Sequence, residues 1–272
     1  MSESVREALA RAASTLAETS DTPRLDAELL MAHALGVERE AMLLSHLGDP
    51  APSAFDPLVA RRAAAEPIAY IVGRRDFWTI SLEVGPGVLI PRPDSETLIE
   101  AAVEHFAASA PATILDLGTG PGTLLLAALS TWPHARGLGI DASEQALSYA
   151  RRNAERLGLR ADFRLGDWAD GVETRFDLIL CNPPYIETAA PLPRDVAEWE
   201  PPTALFAGED GLDAYRRLAP SIPRLLAPNG LACFEIGAGQ EDSVSALFTA
   251  EGLKTAPKRD LSGHVRCLAI RA

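Results

Sequence analysis

The alternation of short apolar runs with longer helical stretches after residue 112 constrains the fold of this chain more than any other feature. Seven runs have the length and apolar content of strands, at 114–117, 135–140, 163–165, 176–180, 230–236, 253–254 and 265–270. Helical stretches lie between them at 123–130, 143–157, 211–226 and 240–251. The third of these contains Pro220 and Pro223, which interrupt a helix because each removes a backbone hydrogen bond.

Strands that alternate with helices at this spacing predict an α/β fold with a doubly wound, mainly parallel sheet. Ligands of such sheets bind at the carboxyl ends of the strands. The last two strands follow each other without a helix, so we expect them to form an antiparallel pair at one edge of the sheet.

The first part of the chain, residues 1–74, is helical in pattern and carries no cluster of ligand-like side chains. Apolar stripes at helical spacing begin near Val5, Leu25, Met42 and Phe55. Thr22 and Pro23 are typical of a helix start and Gly36 of a helix end. We predict a small helical bundle that serves to dock a protein substrate, although a purely structural role is the alternative.

A change of pattern between residues 75 and 93 predicts a β-hairpin linker. Short β-like runs at 77–80 and 87–90 flank Gly85 and Pro86, and this pair is typical of a turn.

The sequence Pro-Arg-Pro at 91–93 ends this linker rigidly, because proline fixes its own backbone angle. Asp94 or Ser95 is placed to cap the first helix of the remaining domain, 94–272. Arg92 is held between the two prolines, where bracing of the loop and contact with a ligand are both reasonable roles.

Charge and composition exclude several classes of protein. The chain is 47% hydrophobic and 23% charged, as is ordinary for a globular protein, and no apolar run reaches the ~20 residues of a membrane span. No signal-peptide pattern opens it, so we expect a cytoplasmic protein, and we expect a monomer. Its net charge of −13 disfavours direct binding of nucleic acid and favours small molecules or a basic protein partner. The three cysteines, Cys181, Cys233 and Cys267, lie in apolar runs without metal-ligand spacing, so we expect core positions and no metal.

A glycine-rich segment, Asp-Leu-Gly-Thr-Gly-Pro-Gly at 116–122, joins the first strand of the sheet to its helix. Its glycines, Gly118, Gly120 and Gly122, let the backbone approach a ligand closely. The spacing differs from that of dinucleotide-binding and P-loop motifs, so the segment alone leaves the ligand open.

Two further strand ends carry groups that suit a nucleoside. Asp141 ends the second strand, where a carboxylate can accept both hydroxyls of a ribose. Trp168 follows the third strand, where its ring can lie against an adenine. Each has a structural alternative, since Asp141 could cap the next helix and Trp168 could belong to the core.

The fourth strand ends in Cys-Asn-Pro-Pro-Tyr at 181–185. Pro183 and Pro184 donate no backbone hydrogen bond, so this loop offers carbonyl groups rather than N–H groups. Asn182 adds a side-chain carbonyl and Tyr185 an aromatic face, and together they suit a planar –NH2 group with two hydrogens to accept. Beside a nucleoside site, this loop predicts S-adenosylmethionine as cofactor and methylation of a nitrogen.

The chain resembles bacterial protein-(glutamine-N5) methyltransferases that modify peptide chain release factors. The resemblance covers nearly the whole length and is carried by residues 66–73, 88–93, 116–122, 182–185 and 260–263, with Phe77, Glu96, Glu200, Pro201, Gly211 and Leu212. Pro121 and Ala207 depart from the pattern, the first where a small polar residue is common and the second where a glycine is frequent.

The resemblance implies a Rossmann-like, seven-stranded methyltransferase fold with S-adenosylmethionine as cofactor and S-adenosylhomocysteine as product. It implies a cofactor site formed by Asp116, Gly118, Thr119, Gly120, Pro121, Gly122, Asp141, Trp168 and Asn182. It places the acceptor glutamine, in the Gly-Gly-Gln loop of class 1 release factors, against Arg92, Asn182, Pro183, Pro184 and Tyr185, with Asn182, Pro183 and Tyr185 catalytic.

Three alternatives stay open at this point. The same reaction on a ribosomal protein would use the same two-domain layout. Adenine methylation shares the Asn-Pro-Pro-Tyr loop but is disfavoured by the negative charge and by the lack of a basic stripe. A non-catalytic binding module would have no need of that loop.

Overall fold

The computed structural model describes residues 3–272 and divides into two compact units, of which we treat each by itself. The first contains the chain up to Arg74 together with Leu192–Trp199, and the second contains Arg75–Pro191 and Glu200–Ala272. The two positions before residue 3 belong to the predicted bundle but lie outside the described residues.

The first unit is helical, as the apolar stripes predict. Its helices are α1 (Val5–Leu16), α2 (Pro23–Leu35), α3 (Arg39–Ser45), α4 (Phe55–Ala63) and α5 (Ile68–Val72). Ser4 caps α1 through a reciprocal pair of hydrogen bonds with Glu7. The core of the unit is fully buried and consists mainly of aliphatic side chains from α1 and α2, closed by Phe55.

The ends of α2 lie where the sequence predicts them, with Pro23 as the first helical residue and Gly36 in the left-handed conformation (φ +69°) after the last. Thr22 is the residue before the helix, but its hydroxyl donates to Asp26 at 3.1 Å instead of capping a backbone N–H.

Asp26 is part of a buried ion pair with Arg62, at 2.7 Å between nitrogen and oxygen, and both side chains are less than 10% exposed. Arg62 also reaches Asp195 at 3.4 Å, within the segment Leu192–Trp199 that carries the short helix α9 (Arg194–Ala197). Nothing in the sequence pattern indicates this association, because Asp195 lies 133 positions from its partner.

The hairpin does not lie where the sequence predicts it. Its strands are β1 (Arg74–Phe77) and β2 (Ile80–Glu83), so the predicted strands at 77–80 and 87–90 and the predicted turn at Gly85 are wrong. The turn occurs instead at Trp78, which adopts a positive φ of 55° while its N–H donates to the Glu96 carboxylate at 2.7 Å. An aromatic residue inside an apolar run gives no sign that it will form a turn.

The second unit is built on the predicted seven-stranded sheet, in the order β5-β4-β3-β6-β7-β9-β8. The strands are β3 (Thr113–Leu117), β4 (Arg136–Asp141), β5 (Ala161–Leu165), β6 (Phe176–Cys181), β7 (Leu226–Glu235), β8 (Lys254–Arg259) and β9 (Val265–Arg271). The first five are parallel, and the predicted antiparallel pair at the edge is confirmed. Of that pair, β9 runs antiparallel to β7 and β8 forms the outer edge.

Helices cover both faces of this sheet. They are α6 (Glu96–His105), α7 (Thr123–Thr131), α8 (Glu144–Leu157), α10 (Asp213–Leu218), α11 (Ile222–Leu225) and α12 (Glu241–Ala250). The predicted interruption at Pro220 is confirmed, since a short 3-10 turn separates α10 from α11. The core includes Tyr215, Phe234 and Phe248, and the three cysteines are buried in the sheet as expected.

The predicted cap of α6 is wrong in its chemistry. Ser95 is the residue before the helix, but its side chain caps no backbone N–H. It donates instead to the carboxylate of Glu235, 140 positions away.

Candidate functional site

The carboxyl ends of the parallel strands surround a cavity of about 640 Å³ in the second unit. Six of the predicted site residues line it: Gly118, Gly120, Asp141, Trp168, Asn182 and Pro184. Parallel strands that end at one edge bring these residues together, although they lie up to 66 positions apart. The volume is that of a small-molecule site.

The glycine-rich turn after β3 forms one wall of this cavity. Gly118 and Gly120 have φ values of +72° and +55°, which favour glycine. A Cβ atom at Gly118 would come within 3.2 Å of the Trp168 ring, so the turn and the indole are fitted to each other. The N–H of Gly120 donates to Asp141 at 2.8 Å, which ties the turn to the end of β4.

Asp141 is half-buried and accepts a second backbone hydrogen bond, from Ser143 at 2.8 Å. Burial is the main reason that the pKa of its carboxyl is raised, and the backbone hydrogen bonds oppose this rise. The helix cap that the sequence left open is Ser143, whose hydroxyl accepts from Ala146. Asp141 therefore braces the loop, and each carboxylate oxygen keeps a lone pair for a ligand.

Trp168 has a positive φ of 52° and is half-buried, with part of its ring packed against the core and part in the cavity wall. Trp168 thus packs partly on the core and partly lines the cavity, and its contact with an adenine stays a prediction.

Asp116 lies near the end of β3 and is 1% exposed. Its Oδ2 atom accepts from the Thr119 hydroxyl at 2.6 Å and from the Leu125 N–H at 3.2 Å. Within the described residues, its Oδ1 atom is buried and has no hydrogen-bond partner. Burial raises the pKa of Asp116 to about 7.

A second cavity, of about 40 Å³, adjoins these groups. Arg92, Asp116, Thr119, Pro121 and Asn182 are among the residues that line it. A buried carboxylate oxygen without a partner costs about 1–3 kcal/mol, so the place of Asp116 beside this cavity fits a ligand that supplies the missing hydrogen bond.

The Asn-Pro-Pro-Tyr loop is held from several directions. The Asn182 amide donates to the Ser95 hydroxyl at 3.1 Å, and the Tyr185 hydroxyl donates to Glu235 at 3.2 Å. Gln240 donates to the backbone carbonyl of Tyr185 at 3.0 Å. The loop also requires a glycine at position 211, because a Cβ atom there would come within 2.4 Å of the same carbonyl oxygen.

Glu235 is the main site residue that sequence reasoning missed. It ends β7, is 1% exposed, and accepts from Ser95 at 2.5 Å as well as from Tyr185. Burial raises its pKa to about 7, against the lowering effect of those two hydrogen bonds. The available signal was a lone carboxylate that closes an apolar strand at the edge where ligands bind.

Arg92 forms an ion pair with Glu200, which is almost fully buried. The second oxygen of Glu200 accepts from the N–H of Ile90 at 3.0 Å. The Arg92 guanidinium therefore braces the 90–92 loop against Glu200. Arg92 also lines the smaller cavity.

Three of the predicted site residues line neither cavity within the described part of the chain: Gly122, Pro183 and Tyr185. Gly122 is the residue before α7, with φ +88°. Pro183 is buried, and Tyr185 contacts Glu235. Among residues 3–272, no helix is long and apolar enough to span a membrane.

Comparison with known proteins finds a matching family for each part of the chain. Residues 7–73 match the family described as PrmC N-terminal domain, and residues 109–251 match a methyltransferase domain. A release factor glutamine methyltransferase of Rhodospirillum rubrum is 46% identical over 92% of this chain and 79% of its own. The protein of that name in Caulobacter vibrioides is 43% identical, over 90% and 88%.

A solved methyltransferase structure from Pyrococcus furiosus has a TM-score of 0.55 with 19% sequence identity, over 79% of this chain and 98% of its own. At this identity the likeness concerns the fold, and it agrees with the seven-stranded sheet described above.

Proposed function

The chain belongs to the family of release factor glutamine methyltransferases, and we propose that it methylates the side-chain amide nitrogen of a glutamine in a release factor, with S-adenosylmethionine as the methyl donor. The observation that carries this proposal is the setting of Asn182. Its –NH2 group is taken by Ser95, so its carbonyl oxygen is left for a ligand at the border of the two cavities.

The residues around the larger cavity fit the cofactor. Asp141 offers lone pairs to ribose hydroxyls, and Trp168 offers a flat face to the adenine. Asp116, which lines the smaller cavity, offers its unpaired oxygen to a donor group of the cofactor. When bound, S-adenosylmethionine supplies a methyl group that is activated by its positively charged sulfur.

The acceptor loop addresses the difficulty of this reaction, which is that an amide nitrogen is a poor nucleophile. Its lone pair is delocalised into the carbonyl group. We infer that the Asn182 oxygen and the Pro183 carbonyl accept the two amide hydrogens and hold the nitrogen in one orientation. Positioning of this kind can lower a barrier by ~7–11 kcal/mol.

The same two acceptors stabilise the positive charge that grows on nitrogen as its bond to carbon forms. A methylated, protonated amide loses its proton readily to water, so the mechanism needs no His, Lys or Cys as base.

The acceptor must be part of a larger partner, because one glutamine side chain provides little binding energy. We propose that this partner is a class 1 release factor, methylated in its Gly-Gly-Gln loop, and that the helical unit takes part in docking it. A net charge of −13 suits a basic surface around that loop. Increasing the salt concentration should then raise KM for the release factor more than it lowers kcat.

The direct test incubates full-length release factor with this protein and cofactor, followed by mass spectrometry of the peptide that contains the glutamine. We expect one added methyl group on that residue and none when the glutamine is replaced by asparagine. A parallel incubation with ribosomal proteins tests the alternative substrate. Methylation there, with the release factor unchanged, would contradict the proposal.

A further inference from the structure

Four side chains form a hydrogen-bonded chain beside the acceptor loop. The Asn182 amide nitrogen donates to Ser95 Oγ at 3.1 Å, and Ser95 donates to Glu235 Oε2 at 2.5 Å. Tyr185 donates to the other oxygen of Glu235 at 3.2 Å. Ser95 and Glu235 are only 2% and 1% exposed, so the middle of this chain is shielded from water.

The chain of hydrogen bonds has one direction. An ionised carboxylate can only accept, so Ser95 must use its single proton on Glu235. The serine oxygen then offers only lone pairs to Asn182. The asparagine must therefore turn its –NH2 group toward Ser95 and its carbonyl oxygen away from it.

We propose that Glu235 is a positioning residue of the methyl-transfer site: its carboxylate, acting through Ser95, fixes Asn182 with the carbonyl oxygen toward the acceptor glutamine. This inference rests on the role proposed above for Asn182. A reversed amide would place its own –NH2 group against the –NH2 group of the glutamine. Two donors would then face each other, and no acceptor would hold the nitrogen.

Protonation of Glu235 removes this constraint. A neutral carboxyl can donate to Ser95, and the serine hydroxyl can then donate to the carbonyl oxygen of a reversed Asn182. Burial raises the pKa of Glu235 to about 7, so the change occurs in an accessible range of pH.

Other charged and titratable groups also bear on Glu235. Ser95 and Tyr185 lower its pKa through hydrogen bonds, Asp94 raises it and Arg266 lowers it. Four further titratable groups interact electrostatically with Glu235, namely Cys181, Tyr185, Tyr215 and Cys267. Burial raises the pKa of each of these four above its ordinary value, which already lies above about 8, so they remain neutral where Glu235 titrates.

Three variants and a control test the proposal. Glu235→Gln keeps the shape but can both donate and accept, and Ser95→Ala removes the link. We expect each to lower kcat by about 10- to 100-fold at pH 8, as loss of a partner that orients a functional group commonly does, with cofactor affinity changed by less than about twofold. Ser95→Thr keeps the hydroxyl and should recover activity to within about threefold of wild type. Glu251→Gln, at an exposed position, is the matched control and should equal wild type.

The pH profile separates positioning from simple structural support. Wild-type kcat should fall as the pH is lowered from 8 to 6, and the Glu235→Gln profile should be flat over that range. Thermal melting of each variant verifies that it is folded. Wild-type kcat and an unchanged pH profile in both Glu235→Gln and Ser95→Ala would overturn the positioning role. So would equal losses in Ser95→Thr and Ser95→Ala.

A nuclear magnetic resonance measurement tests the orientation without turnover. It uses the Asp116→Asn background, in which Asp116 cannot titrate beside the same small cavity. There the Asn182 side-chain amide signal, assigned by its loss in Asn182→Asp, should move as the pH passes through 7 with Ser95 present but not in Ser95→Ala. An identical response in both proteins would overturn the inference. If the wild-type protein leaves the release factor unmethylated, the proposed function fails, and this signal still decides the orientation.

Discussion

Asp116 and Glu235 are two carboxylates at strand ends of the same sheet, and they are buried to the same degree but satisfied differently. Each is 1% exposed, and burial raises the pKa of each to about 7. Each oxygen of Glu235 accepts a hydrogen bond from a hydroxyl group of the protein, one from Ser95 and one from Tyr185. Among the described residues, Asp116 has one oxygen that is paired twice and another that has no partner.

This difference indicates two uses of the same chemical group. A buried acceptor without a partner weakens the fold and is retained where a ligand completes it. A buried acceptor that the protein has already satisfied adds order to its own neighbours. We interpret the β3 end as the part of the site prepared for the cofactor, and the β7 end as the part that orients the acceptor amide.

The largest effect should come from Asn182, which connects the two parts. We expect Asn182→Ala to lower methyl transfer by at least ~100-fold, because one amide hydrogen would lose its acceptor in a closed site. Cofactor affinity should change less. Single-turnover rates at saturating cofactor measure the first quantity and titration calorimetry the second. Near-normal turnover would show that Asn182 does not accept the amide hydrogens of the glutamine.

A smaller effect is expected on the cofactor side, at Asp141. The variant Asp141→Ala should weaken cofactor binding by ~1.5–3 kcal/mol, the value of charge-assisted hydrogen bonds to ribose hydroxyls. Calorimetry with S-adenosylmethionine measures this change. An unchanged affinity would reduce Asp141 to its structural role, in which it accepts from Gly120 and Ser143.

The smallest effect concerns stability. The pKa of Asp116 rises from 3.8 in the unfolded chain to about 7 in the folded protein. The contribution of Asp116 to folding stability is therefore fully present below pH 3.8 and is lost as the pH rises through 7. Asp116→Asn cannot ionise and should be more stable than wild type by about 1–2 kcal/mol at pH 8, since its new –NH2 group lacks an acceptor and offsets part of the gain.

That advantage should shrink toward pH 4. Urea unfolding at the two pH values measures it, and Asp242→Asn, at an exposed position, is the matched control. A stability difference that is independent of pH would contradict the role given to the buried charge.

Much of this fold follows from local pattern, because apolar periods of two and of 3.6 residues distinguish strands from helices wherever one face is buried. The seven strands and the antiparallel edge pair were predictable on that basis. The hairpin was not, since its position depends on the turn at Trp78, whose N–H donates a hydrogen bond to Glu96, 18 positions away.

The site shows the same division. Residues at the ends of consecutive strands, such as Gly118, Asp141 and Asn182, were predictable because parallel strands end at one edge. The partnership of Ser95 with Glu235 was not. Their separation of 140 positions is closed only by the fold, and a serine before a helix is typical of a cap.

The central claim, that two strand ends divide cofactor binding from acceptor orientation, is tested most directly by one paired measurement. Cofactor affinity and single-turnover rate at saturating cofactor are compared in Asp116→Asn and Glu235→Gln at pH 8. We predict that Asp116→Asn weakens affinity by about tenfold or more and leaves the rate near wild type, as removal of a ligand's charged partner should. Glu235→Gln should slow the rate and leave the affinity near wild type. If both variants lost mainly cofactor affinity, or both lost mainly rate, the claim that the two strand ends have different roles would be contradicted.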